Sequence, residues 1–111
     1  LISEQLARDV IRIAEDKKAK DVVVLNLKGI SIMSDYFIIL SGESSIHMRS
    51  IAQELGRKLR EEKVRLINPK DFMNDRWILM DFGAVVVHIF SEEGRQFYQL
   101  ERLWADAKKM I

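Results

Sequence analysis

Arg76-Trp77-Ile78-Leu79-Met80-Asp81-Phe82-Gly83-Ala84-Val85-Val86-Val87-His88-Ile89-Phe90 is the stretch that decides the fold. Two apolar runs meet at a glycine. Trp77 to Phe82 and Val85 to Phe90 read as antiparallel strands, with Gly83-Ala84 as a type II′ turn in which Gly supplies the positive φ at the first position. Alternation sends Trp77, Leu79 and Asp81 to one side of the first strand, and Ile78, Met80 and Phe82 to the other. One of these faces must cover the core. Glu92 and Glu93 then precede a last helix, on which Phe97, Leu100, Leu103 and Trp104 share a face.

Upstream, Ser3 is placed to cap a first helix, with Glu4 in its first turn. Ile2, Leu6, Val10, Ile13 and Ala14 form its apolar stripe, while Arg8, Asp9, Arg12, Glu15 and Asp16 face away. Val22-Val23-Val24-Leu25-Asn26-Leu27 lacks a polar face, which implies an interior strand covered on both sides. Tyr36 to Leu40 is a second strand. Ser44 or Ser45 then opens a second helix whose buried stripe is Ile51, Ala52, Leu55 and Leu59. Gly56 within it implies close packing, since Gly costs about 1 kcal/mol against Ala in a helix. Val64-Arg65-Leu66-Ile67 reads as a short strand ended by Asn68-Pro69. The order α-β-β-α-β-β-β-α predicts an α+β fold, a mixed sheet flanked by helices.

With 111 residues, one domain spanning 1–111 is expected. Apolar residues make up 48% and charged residues 32%, a balance that suits a core with a wet surface. The chain has no cysteine, which excludes disulfides and thiolate metal sites and fits a reducing compartment such as the cytoplasm. Eighteen basic residues against seventeen acidic ones leave a net charge of +1. A protein holding nucleic acid mainly through phosphates usually shows a clear basic excess, so contact with a protein is favoured.

Little here resembles an active site. Ser41-Gly42-Glu43-Ser44-Ser45 is a strand-to-helix turn of the kind that presents amides to an anion, as in nucleotidyltransferases. Those enzymes also need paired carboxylates on the next strand to hold Mg²⁺, and Val64 to Ile67 carries none. Asp35 and Asp81 are the remaining carboxylate pair at strand ends, which defines an alternative reading as a metal-dependent nucleotidyltransferase. His47 and His88 have no spaced partners, and His88 reads as a hydrogen-bonded structural residue. No cofactor is expected. A third reading, direct RNA binding, rests on Arg49, Arg57, Lys58 and Arg60.

Several spaced pieces, in order, resemble the Iojap-like ribosomal silencing factors. They are Ser34-Asp35-Tyr36-Phe37 with Ser41-Gly42 and Ser44-Ser45; then Trp77, Asp81, Gly83, Val87-His88 and Phe90; then Arg95, Phe97-Tyr98, Leu100-Glu101 and Leu103-Trp104. The resemblance implies a nucleotidyltransferase-like fold without the catalytic carboxylates, hence not an enzyme. It implies a translational repressor that binds the universal L-fourteen protein of the large ribosomal subunit and sterically blocks joining of the small subunit, with neighbouring ribosomal RNA as a further contact and no membrane. Phe82 and Ala84 depart from the Tyr and Asp of many relatives.

On that footing the expected partner-binding residues are Trp77, Met80, Asp81 and Phe82, with Tyr98 and Glu101 from the last helix. Trp77 is the anchor and Asp81 the partner of an Arg or Lys. Trp77 and Met80 both contribute only if the strand is a twisted edge or curls at its end. Asp81, Glu92, Glu93, Glu101 and Asp106 outnumber Arg76, Arg95 and Arg102, a mildly acidic half suited to a basic ribosomal protein. An unoccupied apolar sheet edge also invites self-pairing, so a homodimer is a further expectation.

Overall fold

The computed structural model describes residues 2–68, 74–103 and 108–109. Pro69, Trp104 and Asp106 lie outside them, as do the side chains of Glu101 and Leu103. The elements run α1 (Ser3–Asp16), β1 (Lys20–Asn26), β2 (Tyr36–Gly42), α2 (Ser45–Glu61), β3 (Trp77–Asp81), β4 (Val85–Ser91), α3 (Glu92–Tyr98), α4 (Leu100–Leu103) and β5 (Lys108–Lys109). One sheet has the order β3-β4-β2-β1-β5. Among the described strands only β2 and β4 run parallel, Tyr36 facing Val85 and Gly42 facing Ser91; the other pairs are antiparallel. This is the expected α+β architecture with a mixed sheet.

Both α1 and α2 pack on one face of the sheet. Leu6, Val10 and Ile13 from α1 and Met48, Ile51, Leu55 and Leu59 from α2 join Ile38, Leu40, Ile78, Met80, Val87 and Ile89 in one buried cluster. Each such side chain contributes about 1.5–3 kcal/mol relative to exposure. The opposite face holds a smaller cluster of Val23, Leu25, Leu27, Ile39, Phe90 and Leu100, with Phe37 and Trp77 packed at its margin. The run from Val22 to Leu27 therefore contributes to both faces, as its lack of a polar side requires.

Local chemistry corrects several expectations. Ile2, not Ser3, takes the N-cap position of α1, and no side chain caps it. Ile2 is exposed rather than part of the stripe, and Asp9 is buried, where its Oδ1 accepts from Gln5 Nε2 at 3.1 Å and Arg12 at 3.4 Å. Helix α2 begins as expected, Ser44 Oγ accepting from the His47 amide at 3.0 Å. The positive φ of the hairpin turn falls on Gly83, at 89°, and the Phe82 amide donates to the Val85 carbonyl at 2.9 Å.

Val64 to Ile67 is not a strand. Single groups of the segment instead mimic one along the outer edge of β3. The Ile67 amide donates to the Asp81 carbonyl at 2.7 Å. The Asn68 side chain donates to the Leu79 carbonyl at 2.7 Å and accepts from the Asp81 amide at 2.8 Å. A carboxamide offers the same donor and acceptor as a peptide group, so it closes the edge without a ladder.

Gly56 does not mark tight packing. Among the described residues, a methyl group added there would meet only Met80 Cε, at 3.8 Å. Gly56→Ala is thus expected to stabilise the protein by about 0.5–1 kcal/mol, through reduced backbone entropy in the unfolded chain. A urea-unfolding midpoint below that of the parent protein would show that α2 is tighter than this geometry.

Candidate functional site

The last helix is broken. Gln99 adopts a left-handed conformation with φ of 45°, which ends α3 and starts the short α4. Ser91 Oγ caps α3 by accepting from the Gly94 amide at 2.9 Å. The break turns Leu100 into the second cluster and leaves Phe97 69% and Tyr98 37% exposed. Phe97 was expected on the buried stripe; with the helix shortened, it faces out.

Beside it lies Trp77, half-buried at the start of the edge strand. Its ring centroid is 4.7 Å from that of Tyr98, 5.1 Å from Phe90 and 5.7 Å from His88. Its indole Nε1–H donates to His88 Nδ1 at 3.2 Å. Phe97 stands edge-on to Tyr98 at 5.0 Å, with the Arg76 guanidinium 6.0 Å over its ring. Glu92 and Glu93 are exposed at the N-terminus of the same helix, and Arg76 reaches Glu93 at 3.9 Å. The result is an aromatic surface with an acidic border. Large, stiff aromatic rings that are partly exposed are the usual anchors of protein interfaces.

The expected site residues divide accordingly. Trp77 and Tyr98 are brought together. Asp81 is half-buried at the far end of β3, where its Oδ1 accepts from the Gly83 amide at 2.8 Å, so it shapes the turn. Met80 and Phe82 are a correction: at 2% and 6% exposure they belong to the core under α1 and α2. The pleat puts both on the side of the sheet opposite Trp77, and β3 does not curl enough to change that. The helical part of Glu101 is present, but its side chain lies outside the described residues. Phe97 is the residue that sequence reasoning missed; its spacing matched the apolar stripe, and only the turn at Gln99 distinguishes it.

The competing chemistries find less support. At the Ser41 to Ser45 turn, Glu43 faces Lys20 at 2.5 Å, so the turn holds its own carboxylate where an anion receptor needs open cations. That hydrogen bond holds the Glu43 carboxyl below its ordinary range and the Lys20 ammonium above its own. Among the described residues no group of three or more His, Asp or Glu is placed to hold a metal ion. Of the cations proposed for RNA, Arg49 pairs with Asp75 at 3.3 Å, Arg57 with Glu54 and Glu61 at 3.0 and 3.1 Å, and Lys58 with Glu54 at 3.8 Å. No described helix is long and apolar enough to cross a membrane.

Comparison with known proteins places this arrangement among solved α+β folds. A crystal structure from Bacillus halodurans superposes with a TM-score of 0.81 at 39% identity, covering 91% of this chain and 94% of the other. One from Chromobacterium violaceum gives 0.89 at 27% identity, covering 95% and 88%. Residues 2–111 match the profile of the family described as ribosomal silencing factor during starvation. Ribosomal silencing factors of Halalkalibacterium halodurans and Bacillus subtilis are 39% and 38% identical, over 95% and 90% of this chain and 90% and 88% of their own lengths. A mouse protein named mitochondrial assembly of ribosomal large subunit protein 1 is 31% identical over 86% of this chain and 43% of its own length.

The class is thus an α+β translational regulator. The chain belongs to the ribosomal silencing factor family.

Proposed function

We propose that this protein represses translation by binding the large ribosomal subunit through its universal L-fourteen protein, so that the small subunit cannot join. Membership of the silencing factor family supports a ribosomal target, and the mouse relative is named for assembly of the large subunit. The observation that carries a protein partner rather than RNA is the Trp77–Tyr98–Phe97 surface, bordered by Glu92 and Glu93. Aromatic anchors with an acidic rim suit a basic ribosomal protein. No chemical step is needed: a bound factor covering the joining face competes with the small subunit by mass action. The site in this reading comprises Trp77, Tyr98 and Phe97 with Glu92 and Glu93 at its rim; the contacts that the family resemblance implies for Asp81 and Glu101 are additional to it.

Trp77→Ala is expected to weaken binding to isolated large subunits by about 2 kcal/mol, roughly thirtyfold, while the domain stays folded. Cosedimentation with separated large and small subunits, alongside circular dichroism, checks both halves. Normal binding by the folded variant sinks the assignment of this surface. Failure of the parent protein to inhibit subunit joining at saturating occupancy sinks the steric mechanism.

A further inference from the structure

His88 is buried, at 3% exposure, in the middle of β4. Its ring lies among Phe37 at 4.6 Å, Trp77 at 5.7 Å and Phe90 at 6.4 Å between centroids. Its Nδ1 accepts from the Trp77 indole, and its Nε2 has no hydrogen-bond partner among the described residues. An imidazole that accepts at Nδ1 and is neutral carries its proton on Nε2. The residue therefore leaves a buried donor unsatisfied in order to offer one acceptor. Leucine at this position would fill the same apolar surroundings without that cost. Among the described residues, what histidine adds is its hydrogen bond to the indole of Trp77.

Resting on the docking reading above, we propose that His88 is a positioning residue, holding the Trp77 ring in the orientation that its partner binds. Trp77 is half-buried on an edge strand, and its tilted ring contacts with Tyr98 and Phe90 supply no directed hydrogen bond. The acceptor at His88 Nδ1 supplies one. An anchor ordered before binding loses less entropy on docking, which raises affinity without a new contact. Burial also keeps the imidazole neutral, lowering its pKa to about 3. The acceptor consequently persists across physiological pH.

The test uses the full chain with His88→Leu, which keeps volume and loses the acceptor, and His88→Asn, whose Oδ1 occupies the position of Nδ1. Trp77→Ala serves as reference. Affinity for isolated large subunits should fall about fivefold in His88→Leu, and His88→Asn should recover most of the loss. Hydrogen exchange of the Trp77 indole should accelerate in His88→Leu and return toward the parent rate in His88→Asn. Equal affinity of His88→Leu and parent, with Trp77→Ala impaired, overturns positioning and leaves the docking surface intact. Equal weakness of both folded His88 variants assigns the effect to packing and also overturns it. Normal binding by Trp77→Ala removes the docking surface itself, and the positioning role with it. If a variant fails to fold, the ¹⁵N shifts of the parent imidazole decide: protonation at Nε2 with coupling of Nδ1 to the indole is required, and an Nδ1–H tautomer overturns the proposal.

Discussion

Gly94→Ala is expected to destabilise the protein by about 3 kcal/mol, at the upper end of what overpacking costs. A Cβ at this position would be driven into the Arg76 carbonyl oxygen and would lie 3.1 Å from the carbonyl carbon. That oxygen cannot step aside easily, because it accepts from the Ser91 amide at 3.1 Å and so belongs to the join between β3 and β4. The helix must move instead, and Gly94 also holds its cap through Ser91 Oγ. Since α3 carries Phe97 and Tyr98, its displacement should separate Tyr98 from Trp77 and weaken large-subunit binding as well. Urea unfolding and cosedimentation measure the two effects. An unchanged midpoint would mean that the start of α3 is less closely seated on Arg76 than the geometry requires.

The second large effect is loss of stability in mild acid, and His88 is its source. In the unfolded chain this imidazole takes up a proton near its ordinary value of 6.5; in the folded protein burial lowers that to about 3. Between these values the unfolded state binds more protons, so acid favours unfolding. The stabilisation is complete above about pH 6.5 and is withdrawn as pH falls toward 3, at roughly 1.4 kcal/mol per unit. By pH 5 the expected loss is about 2 kcal/mol. Among the described residues its ring neighbours Phe37, Trp77 and Phe90 offer no carboxylate to offset the charge. Unfolding free energies at pH 7, 6 and 5 should fall more steeply in the parent than in His88→Leu. Parallel profiles would place the proton uptake on other groups.

Much of the fold was legible because its local signals agree. The Val22 to Leu27 run, the Ser44 cap and the turn at Gly83 each state one conformation in residues close together. Val64 to Ile67 misled because β-branched composition reports suitability for a pleated surface, whereas Asn68 closes that edge through its side chain. Asp9 misled because a buried carboxylate with two local donors looks, in a helical pattern, like any outward acid. The site was legible in half. Alternation along β3 already put Met80 and Phe82 opposite Trp77, and the pleat kept them there. Phe97 was hidden by Gln99, whose left-handed turn no glycine announces. The pairing of β2 with β4 has no local signal at all.

That parallel pair gives the molecule a particular assembly order during synthesis. β2 ends at Gly42, and its neighbour β4 starts only at Val85. At ~5–20 residues per second, the ribosome needs about 2–8 s to make the stretch between them. Through that interval the β1–β2 hairpin is complete while one whole edge of β2 has no neighbour, and the apolar undersides of α1 and α2 have only part of their sheet. An open strand edge beside uncovered apolar surface is the form in which nascent chains are captured by chaperones or by one another. The strand that joins β3 to the rest of the sheet follows its partner β2 by this interval, and the chain is most vulnerable just before β4 arrives.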